Sequence, residues 1–372
     1  MRILFLTNIP SPYRVDFFNE LGKLCDLTVL FEKSSSDERD KSWEKYRFEN
    51  FKGVILRGKS VDVDSAICPE VTRYLKPGAY DHIILTNFLT PTGMIAITWM
   101  RMKKMEYWLE SDGGFAKDGR GFKEKLKKLF IKGAKGYFST ADEHDRYYLQ
   151  YGADEKKLYR YPFTSLKQED VFPSPATAEE QQRLREKYGI HADRVLLGVG
   201  SFVSRKGFDV LLKAMSRLQE RNVRLLLVGG VLTPEYQHIV ETEKLTSVDF
   251  IGFSNKETVK EYMRLADDFI LPTREDIWGL VINEAMAAGL PVITTDKCLA
   301  GLALITSEKN GVIVPVDDIT ALETAMVTLL DSDNLNAIGM ENIKLANSFT
   351  IEKMAQAHID ILSRSLKENI TA

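Results

Sequence analysis

Short runs of β-branched and aromatic residues alternate with helical patterns along nearly the whole 372-residue chain. This alternation is typical of parallel strands joined by helices, because a parallel strand needs a long crossover to return to its sheet. In the first half, the predicted strands are Ile3–Thr7, Leu27–Phe31, His82–Thr86, Tyr107–Glu110 and Gly136–Thr140. In the second half, they are Val195–Gly200, Arg224–Gly229, Asp249–Ile251, Asp268–Leu271 and Pro291–Thr295. The pattern predicts an α/β fold.

The chain is too long for a single core, and residues 161–178 contain three prolines and no periodicity, as a linker does. We therefore predict two doubly wound, Rossmann-like domains, residues 1–165 and 166–351. A long helical pattern, interrupted near Ser348–Thr350, ends the chain, and its last part, about 352–372, is expected to pack back on the first domain. Two such domains facing each other across a cleft would bind a ligand at the carboxyl ends of their strands.

Composition excludes several classes of protein. A net charge of −3 argues against a chain that binds nucleic acid along its whole length. The three cysteines match no metal-ligand spacing, which indicates buried thiols in a reducing compartment. The N-terminus has no signal-peptide pattern, and no apolar run reaches the ~20 residues needed to span a bilayer. These features predict a cytoplasmic location.

The segment GVGSFVSRKGFDVLLKAM, residues 198–215, joins a predicted buried strand to a helix through a turn that contains Arg205 and Lys206. Free backbone N–H groups, the positive end of a helix and two cations would together bind an anion. It is not a dinucleotide fingerprint, because Val203 stands where the third glycine belongs. Taken alone, the segment fits a surface turn with solvated side chains better than a binding site.

A second segment, REDIWGLVINEAMAAGLPVI at 274–293, passes from a charged loop into an apolar helix. Trp278-Gly279 is predicted to begin this helix, and Gly289 and Pro291 to end it. Asp276 lies beside the helix N-terminus, and Glu284 lies among apolar residues, where a charged side chain needs a partner or lines a cleft. The alternative is one capping acid and one solvated acid.

The pattern D-x-W-G-L-x-x-x-E-A-M-A-A-G-x-P-V resembles the E-x7-E segment of glycosyltransferase family 4, whose members are retaining enzymes of the GT-B fold. The resemblance extends to the Arg-Lys-Gly turn, to residues 250–253 and to the segment SFTIEKMAQAHIDIL near the end of the chain. It covers most of residues 180–365, and the N-terminal half only in outline.

The resemblance implies a role for each matching residue. Glu284 matches the acid that binds the ribose hydroxyls of a nucleotide, and Asp276 the acid that contacts the donor sugar. Lys206 and Arg205 would neutralise the diphosphate, and these four are the predicted catalytic residues. The remaining predicted donor-binding residues lie at the strand ends and at the helix N-terminus: Gly200, Ser201, Gly252, Phe253, Ile277, Trp278, Gly279 and Leu280.

The chain departs from the family at two of these positions. The family usually has Glu where Asp276 stands, so the carboxylate reaches less far towards the sugar. It also tends to have Arg directly after the glycine that matches Gly200, where this chain has Ser201. We expect Arg205 to supply that charge, so Arg205→Ala is expected to lose far more activity than an ordinary surface change.

The acceptor is expected in the N-terminal half. Ser11, Tyr13 and Arg14 follow the first strand, although a loop shaped only by its prolines explains this segment equally well. Glu110 and Asp112 end another predicted strand beside Gly113-Gly114, which lets the backbone approach a ligand closely. Relatives often carry a His-Asp pair near these two acids.

Residues 120–138, RGFKEKLKKLFIKGAKGYF, combine an apolar face with many lysines. Such a helix, over about 120–135, could lie on anionic lipid at the inner face of the cell membrane. The alternative is an ordinary helix that packs on its sheet and turns its lysines to solvent.

Together these features predict a glycosyltransferase that transfers a sugar, with retention, from a UDP- or GDP-linked donor to an acceptor hydroxyl. The expected acceptor is a saccharide or lipid-linked saccharide, as in bacterial surface polysaccharide or glycolipid synthesis. The nucleotide sugar is a co-substrate, and we expect no metal and no other cofactor. Two alternatives are a nucleotide-sugar epimerase of the same fold and a sugar-binding protein without catalysis.

Overall fold

The computed structural model describes residues 1–35, 47–117, 119, 121–306 and 309–371. Contacts between residues divide the chain into two compact domains, the first formed by residues 1–165 with 349–372 and the second by residues 166–348. The sequence placed the corresponding boundaries after residues 165 and 351. Each domain contains a parallel sheet covered by helices.

The described residues of the first domain form a seven-stranded parallel sheet in the order β3-β2-β1-β6-β7-β8-β9. Its strands are β1 (Arg2–Thr7), β2 (Asp26–Phe31), β3 (Lys52–Ile55), β6 (His82–Leu85), β7 (Trp108–Glu110), β8 (Gly136–Ser139) and β9 (Leu158–Arg160). A separate antiparallel pair consists of β4 (Lys59–Ser60) and β5 (Ala66–Ile67). The helices of this domain are α1 (Pro12–Gly22), α2 (Pro91–Met102), α3 (Phe122–Ile131), α4 (Asp142–Gln150) and α13 (Ile351–Thr371).

The described residues of the second domain form a six-stranded parallel sheet in the order β12-β11-β10-β13-β14-β15. Its strands are β10 (Arg194–Val199), β11 (Val223–Val228), β12 (Val248–Ile251), β13 (Asp268–Leu271), β14 (Val292–Thr295) and β15 (Gly311–Val314). Its helices are α5 (Ala178–Lys187), α6 (Phe208–Met215), α7 (Pro234–Thr242), α8 (Lys256–Leu265), α9 (Leu280–Ala287), α10 (Leu299–Leu304), α11 (Ile319–Leu330) and α12 (Leu335–Ala346).

The ten predicted strands are present, each within one residue of its predicted ends. Both strands of the antiparallel pair were missed, as were three strands of the two parallel sheets: β3, β9 and β15. All three lie at the edge of a sheet, where a strand has one neighbour rather than two. Their residues are mostly half-buried or exposed, so they lack the continuous apolar run that marks a central parallel strand.

The interruption predicted near Ser348–Thr350 is confirmed, because α12 ends at Ala346 and α13 begins at Ile351. The apolar side of α13 includes Ile351, Met354, Ala355 and Leu362, which are all buried, and this helix packs against α1 in the first domain. The chain therefore closes by returning to the domain in which it began. Among the helices of the described residues, none is long and apolar enough to cross a membrane.

Candidate active site

The carboxyl ends of neighbouring strands in the second sheet carry glycines. Gly200 follows β10, Gly229 follows β11 and Gly252 follows β12, and these three strands are adjacent in the sheet. A side chain on Gly229 would lie 2.9 Å from the carbonyl oxygen of Gly200, so the backbones here approach too closely for any other residue. The glycines leave main-chain atoms accessible at an edge where open α/β sheets bind ligands. Ser201 and Phe253, both predicted to bind the donor, are exposed at this edge.

A one-turn helix, Ser204–Lys206, connects β10 to α6. Gly207 follows it in the left-handed conformation, with φ of 69°. A Cβ atom on Gly207 would lie 2.0 Å from the carbonyl oxygen of Pro272, so only glycine fits at this point. The turn is thereby packed directly on the loop that follows β13.

That second loop runs from Pro272 to Gly279, which has φ of 98° and caps α9. The helix begins at Leu280, and the predicted start at Trp278-Gly279 was therefore early. Trp278 is buried instead, and its indole Nε1 donates to Asn283 Oδ1 at 2.8 Å. This hydrogen bond anchors the loop to the first turns of α9. Ile277, the other predicted donor contact in this loop, is 49% exposed.

The structure brings the predicted charged residues of the two loops together. Lys206 Nζ lies 2.7 Å from Asp276 Oδ2, and Arg205 Nη1 lies 3.5 Å from the same oxygen. The Lys206 side chain also passes over Gly200, since a Cβ there would lie 3.3 Å from Lys206 Cε. Two cations thus share one carboxylate, which leaves the cluster with a net positive charge suited to an anion.

Glu284 lies in α9, four residues after Leu280, and its side chain is half-buried between buried Asn283 and Ala285. Helix α9 begins at the same strand edge that carries Asp276 and Lys206. The predicted role of Glu284, binding of ribose hydroxyls, stays a prediction.

Sequence reasoning missed Arg274, which lies two residues before Asp276. Its guanidinium hydrogen bonds to the Asp209 and Asp317 carboxylates and to the carbonyl of Ser204. The local sequence around Arg274 does not indicate these partners, because they lie 43 to 70 residues away along the chain.

The predicted acceptor residues form a network in the first domain. Arg14 donates to Glu110 through Nη1, at 2.5 Å, and to Asp112 through Nη2, and Tyr13 Oη donates to Asp112 Oδ2 at 2.7 Å. Ser11 directly precedes α1, which carries Tyr13 and Arg14. Arg14 is 3% exposed and Glu110 is fully buried. Glu110 therefore reaches a ligand only through its neighbours, and the acceptor role of these residues stays a prediction.

His358 completes this network from α13, 248 residues along the chain from Glu110. Its Nε2 lies 3.0 Å from Glu110 Oε2, and its Nδ1 lies 2.8 Å from the carbonyl oxygen of Met354. Both ring nitrogens of His358 therefore face oxygen acceptors, which fixes the orientation of the ring. Burial alone would raise the pKa of Glu110, but the charges and hydrogen bonds of Arg14 and His358 outweigh it and lower that pKa to about 2.

A serine-histidine contact nearby is not an activated nucleophile. Ser111 Oγ lies 2.8 Å from His144 Nε2, while the backbone N–H of Thr140 donates to His144 Nδ1 at 3.2 Å. Nδ1 is therefore the acceptor and Nε2 carries the hydrogen, so the ring donates to Ser111 rather than taking its proton. Burial lowers the pKa of His144 to about 3, which keeps it neutral. Within the described residues, no group of three His, Cys, Asp or Glu side chains is placed to hold a metal ion.

The fold and the matching segment define the class of protein. The two Rossmann-like domains with parallel sheets have the GT-B fold of solved glycosyltransferases. Residues 180–345, which contain Lys206, Asp276 and Glu284, match the model of the family described as glycosyl transferases group 1.

Particular relatives agree with this class. The putative glycosyltransferase EpsF of Bacillus subtilis is 29% identical over 204 residues, 51% of this chain and 52% of that protein. The lipopolysaccharide glucosyltransferase WaaG of Escherichia coli is 37% identical over 137 residues, 34% of this chain and 36% of WaaG. The chain thus spans about half the length, or less, of these curated relatives. The structure of Anabaena Alr3699/HepE in complex with UDP has a TM-score of 0.78 at 16% identity, covering 98% of this chain and all of that one.

Proposed function

We propose that this chain is a glycosyltransferase that moves a sugar from a nucleotide-diphosphate sugar to an acceptor hydroxyl, with retention of configuration. The observation that carries the proposal is the cluster of Arg205, Lys206 and Asp276 at the carboxyl edge of the second sheet. It combines two cations with the glycine-rich strand ends, inside the segment that matches the group 1 family model.

The proposed nucleotide is UDP. HepE, which shares the fold, has been crystallised with UDP, with UDP and glucose, and with UDP-glucose. A diphosphate near Arg205 and Lys206 would replace the Asp276 carboxylate as their counter-anion. Phosphate and carboxylate groups both accept charge-assisted hydrogen bonds from arginine and lysine through anionic oxygens. The exposed Phe253 at the end of β12 offers an apolar surface beside the same edge.

The proposed chemistry needs no strong protein base. The acceptor oxygen forms a bond to the anomeric carbon on the face from which the diphosphate leaves, and the acceptor proton passes to the departing phosphate oxygen. Lys206, Arg205 and the backbone N–H groups at the start of α9 stabilise the negative charge that grows on the leaving group. Donors fixed before the reaction are effective because they need no reorganisation as the charge develops.

The proposed acceptor is a saccharide or lipid-linked saccharide of a bacterial surface polysaccharide or glycolipid, bound by the first domain. The relative WaaG is described as a lipopolysaccharide glucosyltransferase, which supports this class of acceptor. The polar residues at the carboxyl ends of β1 and β7, Tyr13 and Asp112 among them, are the groups proposed to face it.

A panel of UDP- and GDP-linked sugars, compared by thermal unfolding, tests the donor. A ligand at 100 times its Kd adds about 2.7 kcal/mol to the free energy of unfolding. We expect stabilisation by a UDP-sugar, and loss of it in Glu284→Ala. Glu257→Gln, which changes an exposed acid on α8, serves as the matched control. If no nucleotide sugar stabilises the protein, the proposal fails.

Apolar and basic side chains share one surface of the first domain. Phe122 and Leu129 of α3 are 78% and 57% exposed, and Met102 at the end of α2 is 66% exposed. The two helix ends are joined, because Arg101 donates to the carbonyl oxygens of Leu129 and Lys132. The exposed lysines of this basic apolar surface are Lys103, Lys104, Lys123, Lys125, Lys128 and Lys132.

We propose that the basic apolar surface binds the anionic inner face of the cell membrane, where a lipid-linked acceptor lies. Helix α3 covers Phe122–Ile131 of the predicted 120–135, and residue 120 is outside the described residues. Each lysine near such a surface adds about 1 kcal/mol. Lys125→Glu with Lys128→Glu is expected to abolish sedimentation with anionic vesicles at low salt. Lys156→Glu with Lys157→Glu, exposed elsewhere in the same domain, is the control. Equal binding by both double variants contradicts the proposal.

A further inference from the structure

Arg274 links three separate segments of the second domain. Its Nη1 donates to the carbonyl oxygen of Ser204 at 2.6 Å and to Asp209 Oδ1 at 2.9 Å. Its Nη2 donates to Asp209 Oδ2 at 2.7 Å, and its Nε donates to Asp317 Oδ1 at 2.7 Å. One side chain in the loop after β13 therefore holds the turn before α6, the first turn of α6 and the segment before α11.

The turn at Ser204–Lys206 and the loop after β13 are joined by three further hydrogen bonds. The carbonyl oxygen of Arg205 accepts from the Arg274 N–H at 2.8 Å and from Thr273 Oγ1 at 2.9 Å. In the other direction, Arg205 Nη1 donates to the carbonyl oxygen of Glu275 at 2.8 Å. The turn that carries Arg205 and Lys206 is thus hydrogen-bonded directly to the loop that carries Asp276.

The Arg274 guanidinium is already engaged by its protein partners. An arginine has five N–H donors, and the four hydrogen bonds described above use four of them. Asp209 and Asp317 together also supply two negative charges around its single positive one. Arg274 thus offers a ligand little charge, and its contacts point to the turn rather than to the strand-end glycines.

We propose that Arg274 is the positioning residue of the diphosphate site: it fixes the Ser204–Lys206 turn so that Arg205 and Lys206 meet the donor. This inference rests on the proposed function, because it assigns a role within that same site. The planar fork of an arginine suits the task, since it binds the Asp209 carboxylate through two nitrogens in a fixed geometry while it also reaches Asp317 and a backbone carbonyl, whereas a lysine ammonium has three donors and no such fork. A misplacement of about 1 Å can cost roughly 100-fold in activity.

The first test measures UDP affinity by calorimetry in Arg274 variants. Arg274→Ala is expected to weaken UDP binding at least about tenfold, and Arg274→Lys by a smaller factor. The control is Arg221→Ala, which removes an arginine that also makes two hydrogen bonds to an aspartate, Asp331, in the same domain. That control is expected to bind UDP as the wild type does. If Arg274→Ala does not fold, the UDP affinity of Arg274→Lys is compared with that of the wild type and of Arg221→Ala instead.

A double-mutant cycle separates positioning from general stabilisation. In a background of Arg205→Ala with Lys206→Ala, the turn has no cations left to position, so Arg274→Ala is expected to change UDP affinity less than twofold. Its effect on the midpoint of thermal unfolding is expected to be the same in both backgrounds. In this pattern, the loss of UDP affinity depends on the presence of Arg205 and Lys206, whereas the loss of thermal stability does not. An arginine that only stabilised the domain would not produce it.

The outcomes distinguish this inference from the proposal on which it rests. A wild-type protein that binds no UDP contradicts the proposed function. A wild-type protein that binds UDP, with Arg274→Ala binding equally well, contradicts the role of Arg274 alone. The same conclusion follows if Arg274→Ala weakens binding by an equal factor in both backgrounds.

Discussion

At the carboxyl edge of the first sheet, Arg14 and Glu110 are sealed from solvent, whereas at the same edge of the second sheet the Arg205 side chain is 53% exposed. Both edges place basic and acidic side chains at strand ends. In the first domain, Arg14 pairs with both Glu110 and Asp112, and His358 contacts the second carboxylate oxygen of Glu110. In the second domain, two cations share the single carboxylate of Asp276.

The difference concerns what each edge can give to a ligand. If a buried, fully paired side chain turned from its partner to a ligand, the partner would be left as an unpaired charge without solvent. That costs several kcal/mol. At the second edge, the Arg205–Asp276 pair is partly exposed and exchanges its counter-ion at little cost, since exposed pairs contribute about 0–1 kcal/mol, whereas the Lys206 and Asp276 side chains are only 13% and 12% exposed. The buried charges of Arg14 and Glu110 therefore stabilise the first domain, and those of the second edge are the ones that we propose to bind a phosphate.

The strongest test of this comparison is Arg14→Met. It leaves the fully buried Glu110 without its arginine partner, so we expect the free energy of unfolding to fall by about 3–5 kcal/mol. Arg160→Ala is the matched control, because Arg160 also binds two acids, Asp142 and Asp145, but with its side chain 41% exposed. Its loss is expected to stay within about 1 kcal/mol. Urea unfolding measures both, and equal losses would remove the contrast between sealed and exposed charges.

Glu32, at the end of β2, shows that burial without a cation has the opposite effect on a carboxyl. Burial raises the pKa of Glu32 to about 7, although Ala66 N–H, Thr90 and Asn87 donate hydrogen bonds to it. The folded pKa lies above the unfolded value of 4.5, so stability is fully present below pH 4.5 and is lost as the pH rises through about 7. The whole change amounts to about 3 kcal/mol, at about 1.4 kcal/mol per pKa unit.

Replacement of Glu32 by Gln removes this titration. Unfolding free energies measured between pH 4 and pH 8 are expected to fall more steeply in the wild type than in Glu32→Gln. The control Glu155→Gln changes an exposed acid of the same domain and is expected to follow the wild type. Parallel curves for wild type and Glu32→Gln would mean that Glu32 is ionised throughout, and that its three hydrogen bonds outweigh its burial.

The fold was predictable where burial is strongest. Central strands such as β1 and β10 are covered on both faces, so their sequences RILFLT and RVLLGV are almost continuously apolar. The edge strand β9, with the sequence LYR, carries no such run, and only pairing with β8 makes it a strand. Local pattern therefore identified the central strands and the edge strand β12, and missed the other three edge strands of the two parallel sheets in the described residues.

The candidate site divides in the same way. Glycines and cations at strand ends mark a ligand edge because their roles are local, and Gly207 and Lys206 are examples. The side chains that hold them are not local: Arg274 meets the 204–206 turn across 70 residues, and His358 meets Glu110 across 248. A single sequence carries no record of such pairings, because any of many acids could partner a given arginine or histidine.

The second edge is tested most directly by Lys206→Ala, since Lys206 pairs with Asp276 at 2.7 Å. A charge-assisted hydrogen bond contributes about 1.5–3 kcal/mol, so we expect UDP affinity to fall roughly 10- to 100-fold. Lys213→Ala, an exposed lysine on α6 in the same domain, is expected to leave the affinity unchanged. Calorimetry at two salt concentrations measures this loss. Unchanged UDP binding by Lys206→Ala would show that the second edge, like the first, uses its charges for structure.

The smallest predicted effect has an unusual sign. Asp276→Asn removes the carboxylate that occupies Lys206 and Arg205 in the unliganded protein, so we expect UDP to bind more tightly, by about 1 kcal/mol or roughly fivefold. Sugar transfer is expected to fall, because an amide is a weaker acceptor for a sugar hydroxyl than a carboxylate. Asp249→Asn, which breaks the partly exposed pair with Arg224 at the opposite end of the sheet, controls for charge alone. Weaker UDP binding by Asp276→Asn would mean that the carboxylate orients the two cations rather than competing with the phosphate.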